Sequence, residues 1–265
     1  MSELSLATRK KLRSLATTKG RQKHNLFIAE GIRVLEEAYN FGKIPIEVYF
    51  EPGRLSKRGE GLVMAFSKAG SQTIFINSKN MDYISETKTP QGILAVFNTF
   101  EFQLKSGTYG DNKRILFLDK ISDPGNVGTL IRSALAFGFD PIVFSPDSVE
   151  PYNGKVIRSS AGAFFGREVV MAPLENLINA CSSKIIMLAA RKGGEDIGVI
   201  LPEIAKNSVI IFVVGAEADG LSDNTLKKID RMVGIDHDKK LESLNAAMAG
   251  SIIMHGIYRF DKKEV

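Results

Sequence analysis

Three short stretches combine residue types that can hold a polar ligand, two after an apolar run and the third after a short strand around Ile235 and a charged loop. The first is Asp123-Pro124-Gly125-Asn126-Val127-Gly128-Thr129-Leu130-Ile131-Arg132. On a helix its Asn126, Thr129, Arg132 and Ser133 fall on one arc, and Val127, Leu130, Ile131, Ala134, Leu135 and Gly138 on the other. One face packs, and the other offers an amide, hydroxyls and a guanidinium. In the second, the run Val209 to Val214 ends at Gly215, and Glu217 and Gly220 flank a turn with backbone amides at its tip. The third is Ser243-Leu244-Asn245, where short hydrogen-bonding side chains open an apolar helix beside strand ends. Such groups suit orientation and charge stabilisation rather than metal or thiol chemistry. Each also has an ordinary reading, as a solvated helix residue, a loop acid or a helix cap. Gly215 to Gly220 lacks the spacing of a nucleotide P-loop and the middle glycine of a dinucleotide fingerprint.

The elements that must position these residues alternate strand and helix. Ile115 to Leu118 reads as a buried strand, the helix follows from Asn126, and Pro141 to Ser145 is the next strand. The unit is βαβ in a parallel sheet, with polar groups at the carboxyl end of its first strand, where open α/β sheets place ligands. Ser222 or Asp223 can cap a helix beginning near Asn224. Between these motifs come a short helix over Asn153 to Ser160, extended chain from Phe164 to Val170, a helix over Leu174 to Cys181 and a strand over Ile185 to Ala189. Arg158-Ser159-Ser160-Ala161-Gly162-Ala163 suits a ligand or a plain helix end, and Lys192 to Leu201 reads as loop and turn.

The first hundred residues form their own α/β pattern. A helix over Leu6 to Thr18 precedes strands Asn25–Glu30, Ile46–Phe50, Gln72–Asn77 and Ile93–Phe97, with a helix carrying Val34, Leu35 and Ala38 on one face. The polar stretch from Gln103 to Lys113 reads as a linker, so the expected division is domain 1–102, linker 103–113 and domain 114–265.

The net charge is +5, from 35 basic and 30 acidic side chains. Arg9, Lys10, Lys11, Arg13, Lys19, Arg21, Lys23 and His24 crowd the amino-terminal stretch against Glu3 alone. That field suits a phosphate backbone, although a solvated terminus has the same composition. The RNA-binding candidates are Lys10, Lys11, Arg13, Lys19 and Arg21. Cys181 is the only cysteine, and His24, His237 and His255 show no ligand spacing, so no metal is expected. No stretch has the apolar length of a membrane span, and the amino terminus lacks a signal peptide's apolar block, so a cytoplasmic location is expected.

In this order, DPGNVGTLIRSALAFGFD, VVGAEADGLSD and ESLNAAMAG closely resemble the three signature motifs of the SpoU (TrmH) family of RNA ribose 2′-O-methyltransferases, within the SPOUT superfamily. FIAEG and TPQGILAVF resemble, more loosely, the ribosomal-protein-like substrate-binding domain that precedes many members. The resemblance implies an α/β fold: a carboxyl-terminal SPOUT methyltransferase domain, its parallel sheet tied in a trefoil knot, after a small α/β RNA-binding domain. It implies S-adenosylmethionine as cofactor, met by Gly215, Ile235 and Leu244, and catalytic roles for Asn126, Arg132, Glu217, Ser243 and Asn245. A guanidinium is a very poor base, so Arg132 would position a phosphate and stabilise the developing alkoxide. The partners implied are a structured rRNA or tRNA and a second copy of the chain, met through Ala247, Ser251, Met254 and Tyr258. The family usually carries Ile-Pro-Met where this chain has Ile235-Asp236-His237, a departure at the loop that meets the cofactor. A catalytically silent RNA-binding protein of the same fold would need a lost catalytic residue, and all five are present. A SPOUT enzyme acting on a base nitrogen is disfavoured by the first motif.

Overall fold

The computed structural model describes residues 4–203, 208–216, 220–238 and 240–263. Its chain divides into two units, one of residues 1–101 and 152–166, the other of 102–151 and 167–265.

In the first unit, helices α1 (Leu6–Ser14) and α2 (Thr18–His24) lead into β1 (Leu26–Glu30), α3 (Ile32–Asn40), β2 (Glu47–Phe50), α4 (Lys57–Lys68), β3 (Gln72–Phe75), α5 (Ser78–Ile84) and β4 (Ile93–Asn98). The helix expected over Leu6 to Thr18 ends at Ser14, and a second helix follows over Thr18–His24. Each has its own cap, Ser5 accepting from the Thr8 N–H and Thr17 from the Gly20 N–H. The sheet order is β1-β4-β2-β3, with only β2 and β3 parallel. On one side lie Leu12, Leu15, Tyr49, Met81 and Leu94.

The second unit begins with β5 (Arg114–Asp119), α6 (Pro124–Ala136) and β6 (Ile142–Phe144). The chain then returns to the first unit for α7 (Gly154–Ser159) before β7 (Val169–Met171), α8 (Leu174–Ala180), β8 (Ile185–Asp196), α9 (Ile197–Glu203), β9 (Val209–Gly215), α10 (Asp223–Leu226), β10 (Arg231–Gly234) and α11 (Ala246–Lys263). All six strands are parallel, in the order β10-β8-β9-β5-β6-β7. β9 is buried from Val209 to Val214, as a strand covered on both faces must be.

Two boundaries differ from the sequence reading. The excursion Tyr152–Gly166 belongs to the first unit, where Tyr152, Phe164 and Phe165 pack on Phe27. The Tyr152 hydroxyl accepts from the Phe100 N–H and donates to the Phe100 carbonyl. The stretch taken as a linker is part of the second unit. Tyr109 is buried in its core, donates its N–H to Ala180 at 2.9 Å and accepts from the Ser182 N–H at 2.8 Å. A polar composition hid a segment anchored by one aromatic side chain.

The run Lys192 to Leu201, read as loop and turn, instead completes β8 and forms most of α9. Arg158-Ser159-Ser160 is a helix end. Arg158 pairs with Glu86 at 3.1 Å, and the wholly buried Ser160 donates to the Ile157 carbonyl.

Candidate active site

The sequence places Asp123 and Pro124 where a helix begins, and the Asp123 carboxylate accepts the Asn126 N–H at 2.8 Å. That cap fixes the start of α6, which buries Val127, Leu130, Ile131 and Ala134 as its arc demands. Asn126 and Arg132 remain on the other arc. α11 packs on α6 through Gly250, where a Cβ would lie 2.6 Å from Leu130, and through the Ser133 and Ser251 hydroxyls, 2.6 Å apart. The close approach brings the third motif to the first: the Asn245 amide donates to the Asn126 side-chain oxygen at 3.0 Å. Asn245 also accepts the N–H groups of Ala247 and Met248, so this residue, rather than Ser243, caps α11.

Beside this pair lies a cavity of about 490 Å³, within the usual range for a small-molecule site. Gly215 closes β9 at its wall, and Ile235 follows β10 there. Ser243, Leu244 and Asn245 enter from the loop before α11, with Val214, Val233 and Ile253 as apolar lining. A Cβ on Gly215 would lie 2.8 Å from the Gly220 backbone, so the turn of the second motif closes only over glycine. His237 also lines the cavity, its Nδ1 2.8 Å from the Ile235 carbonyl oxygen. A side chain thus folds back to brace the loop.

The structure therefore brings Gly215, Ile235, Ser243, Leu244 and Asn245 to one cavity, and ties Asn126 to it through Asn245. Arg132 stands exposed on α6, outside the lining, and Glu217 lies outside the described residues. Sequence reasoning missed Arg191 and Lys192, and reached His237 only as a departure at the loop that meets the cofactor. For the first two the available signal was a basic pair followed by Gly193-Gly194 directly after an apolar strand.

Of the RNA-binding candidates, Lys10, Arg13 and Lys19 are exposed and Lys11 is half-buried. Arg21 requires a correction. It is 2 % exposed and donates to the Leu15 carbonyl at 2.9 Å, because α1 and α2 meet so closely that a Cβ on Gly20 would collide with the Ser14 carbonyl. Its guanidinium satisfies backbone where α1 ends and is not presented to phosphate. The residues expected to meet a second copy also differ. Ala247 and Met254 are buried, Ser251 bonds to Ser133 and Tyr258 packs on Phe137, so this row faces α6. The exposed apolar residues of α11 are Met248 and Ile252. Among the described residues no cluster of His, Cys, Asp or Glu has a metal-binding arrangement, and no helix is long and apolar enough to cross a membrane.

A parallel α/β sheet, a cavity built from the second and third motifs, and a first-motif asparagine tied to its edge define the class as a SPOUT-type methyltransferase domain. Comparison with known proteins agrees: residues 113–255 match the SpoU rRNA Methylase family and residues 8–95 an MRM3-like substrate binding domain. The chain belongs to the SpoU rRNA Methylase family.

It is 28% identical over 261 residues to the 23S rRNA (guanosine(2553)-2'-O)-methyltransferase RlmP of Bacillus subtilis, covering 96% of this chain and 98% of RlmP. Against the 23S rRNA (guanosine-2'-O-)-methyltransferase RlmB of Xanthomonas axonopodis the identity is 25%, over 78% of this chain and 86% of that one. The SpoU methyltransferase AviRb of Streptomyces viridochromogenes, solved with AdoMet, shares the fold with a TM-score of 0.84 at 22% identity, over 97% of this chain and 99% of that one. S-adenosylmethionine, the cofactor of this class, fits the residues present: backbone at Gly215 and Ile235, apolar walls, and short polar groups from Ser243 and Asn245.

Proposed function

We propose that this chain methylates a ribose 2′-hydroxyl of 23S rRNA, with guanosine the favoured nucleotide, and that it works in the cytoplasm as a homodimer. The observation that carries the reading is the Asn245–Asn126 hydrogen bond, which joins the first and third motifs at the edge of the cavity that the second motif closes. The 23S rRNA target is supported by the full-length similarity to RlmP. The exposed Met248 and Ile252 are the apolar surface of α11 open to a second copy.

S-adenosylmethionine supplies an activated methyl on a sulfonium, so the protein's tasks are alignment and exclusion of water. Backbone at Gly215, Ile235 and Leu244 holds the nucleoside end. Asn126 and Asn245, each orienting the other, present hydrogen-bonding groups to the ribose. Arg132, exposed on α6, holds a phosphate beside that ribose and stabilises negative charge on its 2′-oxygen. Glu217 and Ser243 complete the catalytic set that the motifs imply. In the first unit Lys10, Lys11, Arg13 and Lys19 neutralise RNA phosphates.

The test is transfer of labelled methyl from S-adenosylmethionine to an unmodified 23S rRNA transcript, followed by alkaline hydrolysis. A 2′-O-methyl group protects the adjoining phosphodiester, so label is expected in an alkali-stable dinucleotide. Label on a base, or no transfer by protein that binds the cofactor, would refute the proposal.

A further inference from the structure

β8 pairs with β10 in two registers. Arg231 and Met232 lie opposite Leu188 and Ala189, whereas Val233 and Gly234 lie opposite Glu195 and Asp196. The residues between, Ala190 to Gly194, therefore bow out of the ladder as an extended bulge. Glycine makes the bow possible. Gly193 has φ +72°, and a Cβ on Gly194 would lie 2.6 Å from the Met232 carbonyl oxygen and 2.7 Å from the Gly234 nitrogen. The base of the bow is pinned by Arg231, which pairs with Glu195 at 3.0 Å and with Glu203 at 2.9 Å.

At the crest are Arg191 and Lys192, both exposed and both lining the cavity of about 490 Å³. Neither forms an ion pair or hydrogen bond among the described residues, and the nearest acid in sequence, Glu195, is already paired with Arg231. None of the described residues that line the cavity is Asp or Glu. Two adjacent cations over a cavity without a described carboxylate repel each other and attract an anion.

We infer that Arg191 and Lys192 form an oxyanion clamp at the mouth of the cavity. This assignment rests on the function proposed above, which brings two oxyanions there: a phosphodiester of the RNA strand, and the carboxylate at the amino-acid end of the cofactor. A planar guanidinium beside a flexible ammonium suits either, the first by paired hydrogen bonds and the second as a point charge.

The test uses the full-length chain carrying Arg191→Gln and Lys192→Gln together, with an Arg191→Lys, Lys192→Arg exchange as the charge-preserving control. Calorimetry with S-adenosylhomocysteine and with methylthioadenosine, which lacks the amino-acid end, reads the carboxylate. Filter binding of an unmodified 23S rRNA transcript across a salt series reads the phosphate. If the clamp holds the carboxylate, the double variant loses about tenfold in affinity for S-adenosylhomocysteine and none for methylthioadenosine. If it holds a phosphodiester, RNA affinity falls about tenfold at low salt and the log–log salt slope flattens by roughly one to two. The exchange variant retains most of the affinity in either case. Wild-type binding of all three probes by the double variant, with an unchanged slope, overturns the inference. Failure of the wild-type chain itself to bind S-adenosylhomocysteine and RNA overturns the functional reading instead.

Discussion

Two cavities open along the carboxyl edge of the same parallel sheet, and they use their polar groups differently. The one beside β5 and β6, about 390 Å³, is lined by Asp119, Lys120, Asp147, Glu175 and Asp223. Its inner wall is held by its own hydrogen bonds. The buried Asp119 accepts the Ser222 N–H at 2.7 Å, Ser145 accepts the Lys120 N–H at 2.9 Å, and Ser148 accepts the Ile121 N–H while donating to the Leu118 carbonyl. The other, at the bow of β8 and the ends of β9 and β10, has glycine backbone, short polar side chains and two cations without acidic partners among the described residues. In the first cavity the inner-wall side chains Asp119 and Ser145 serve the backbone, and Lys120, Asp147, Glu175 and Asp223 stand exposed at the rim with both signs of charge. In the second the backbone leaves space, and side chains at its rim are available to a ligand. Polar richness at a strand end is therefore a poor guide to function until the partners of those groups are known.

The sharpest way to break this contrast is Asn245→Asp. An aspartate still caps α11 but cannot donate to Asn126, so methyl transfer in single turnover should fall by roughly a hundredfold while thermal stability stays nearly constant. Asn245→Ala should lose the cap as well, at about 1 kcal/mol by denaturant titration. A fully active Asn245→Asp variant would make the Asn pair structural and erase the distinction between the cavities.

The reciprocal experiment is Asp119→Ala, which leaves the Ser222 N–H without its acceptor. A loss of about 1–3 kcal/mol is expected in chemical denaturation, with cofactor affinity within a few fold of wild type. A variant of normal stability that no longer binds S-adenosylmethionine would reverse the roles assigned to the two cavities.

The first unit repeats the distinction within one basic cluster, which contains both a structural and a presented set. Arg21→Ala should destabilise the first unit by removing a buried donor to Leu15. Lys10→Ala with Lys11→Ala should leave melting unchanged and flatten the salt dependence of RNA binding by roughly one to two in log–log slope. Equal effects of the two changes on RNA would contradict the burial argument.

The smallest effect lies away from both cavities. Burial pushes the Cys181 thiol up to about 11, above its ordinary 9.0. Its folded value is the higher one, so its contribution to stability is fully present below pH 9.0 and lost as pH rises through about 11. Melting temperature followed against pH should show a steeper alkaline decline for the wild type than for Cys181→Ser.

The three motifs were legible because each is local: a strand, a turn and a capped helix within a few residues, with glycines where the turn needs them. The features that stayed hidden depend on distant segments meeting. Arg21 looks like its basic neighbours until α1 and α2 are packed. Tyr152–Gly166 reads as continuous with β7 and α8 until its aromatic residues find Phe27. Glu195 and Asp196 sit in a run, Lys192 to Leu201, that reads as loop and turn because their strand pairing comes from β10, reached only after the whole of β9. The βαβ pattern alone points to the end of β5, whereas the motif resemblance points to Gly215, Ile235 and Leu244, which line the cavity. The cavity lies at the bow of β8 and the ends of β9 and β10, and the first motif reaches it only through Asn126.

The most direct test of where the chemistry sits is amide chemical-shift mapping of the isotopically labelled chain during titration with S-adenosylhomocysteine. Perturbed N–H signals are expected at Gly215, Ala216, Ile235 and Leu244, with Lys120, Ser145, Asp147 and Thr225 unmoved. Perturbations concentrated in the second group, with Gly215 and Ile235 silent, would contradict this placement of the cofactor.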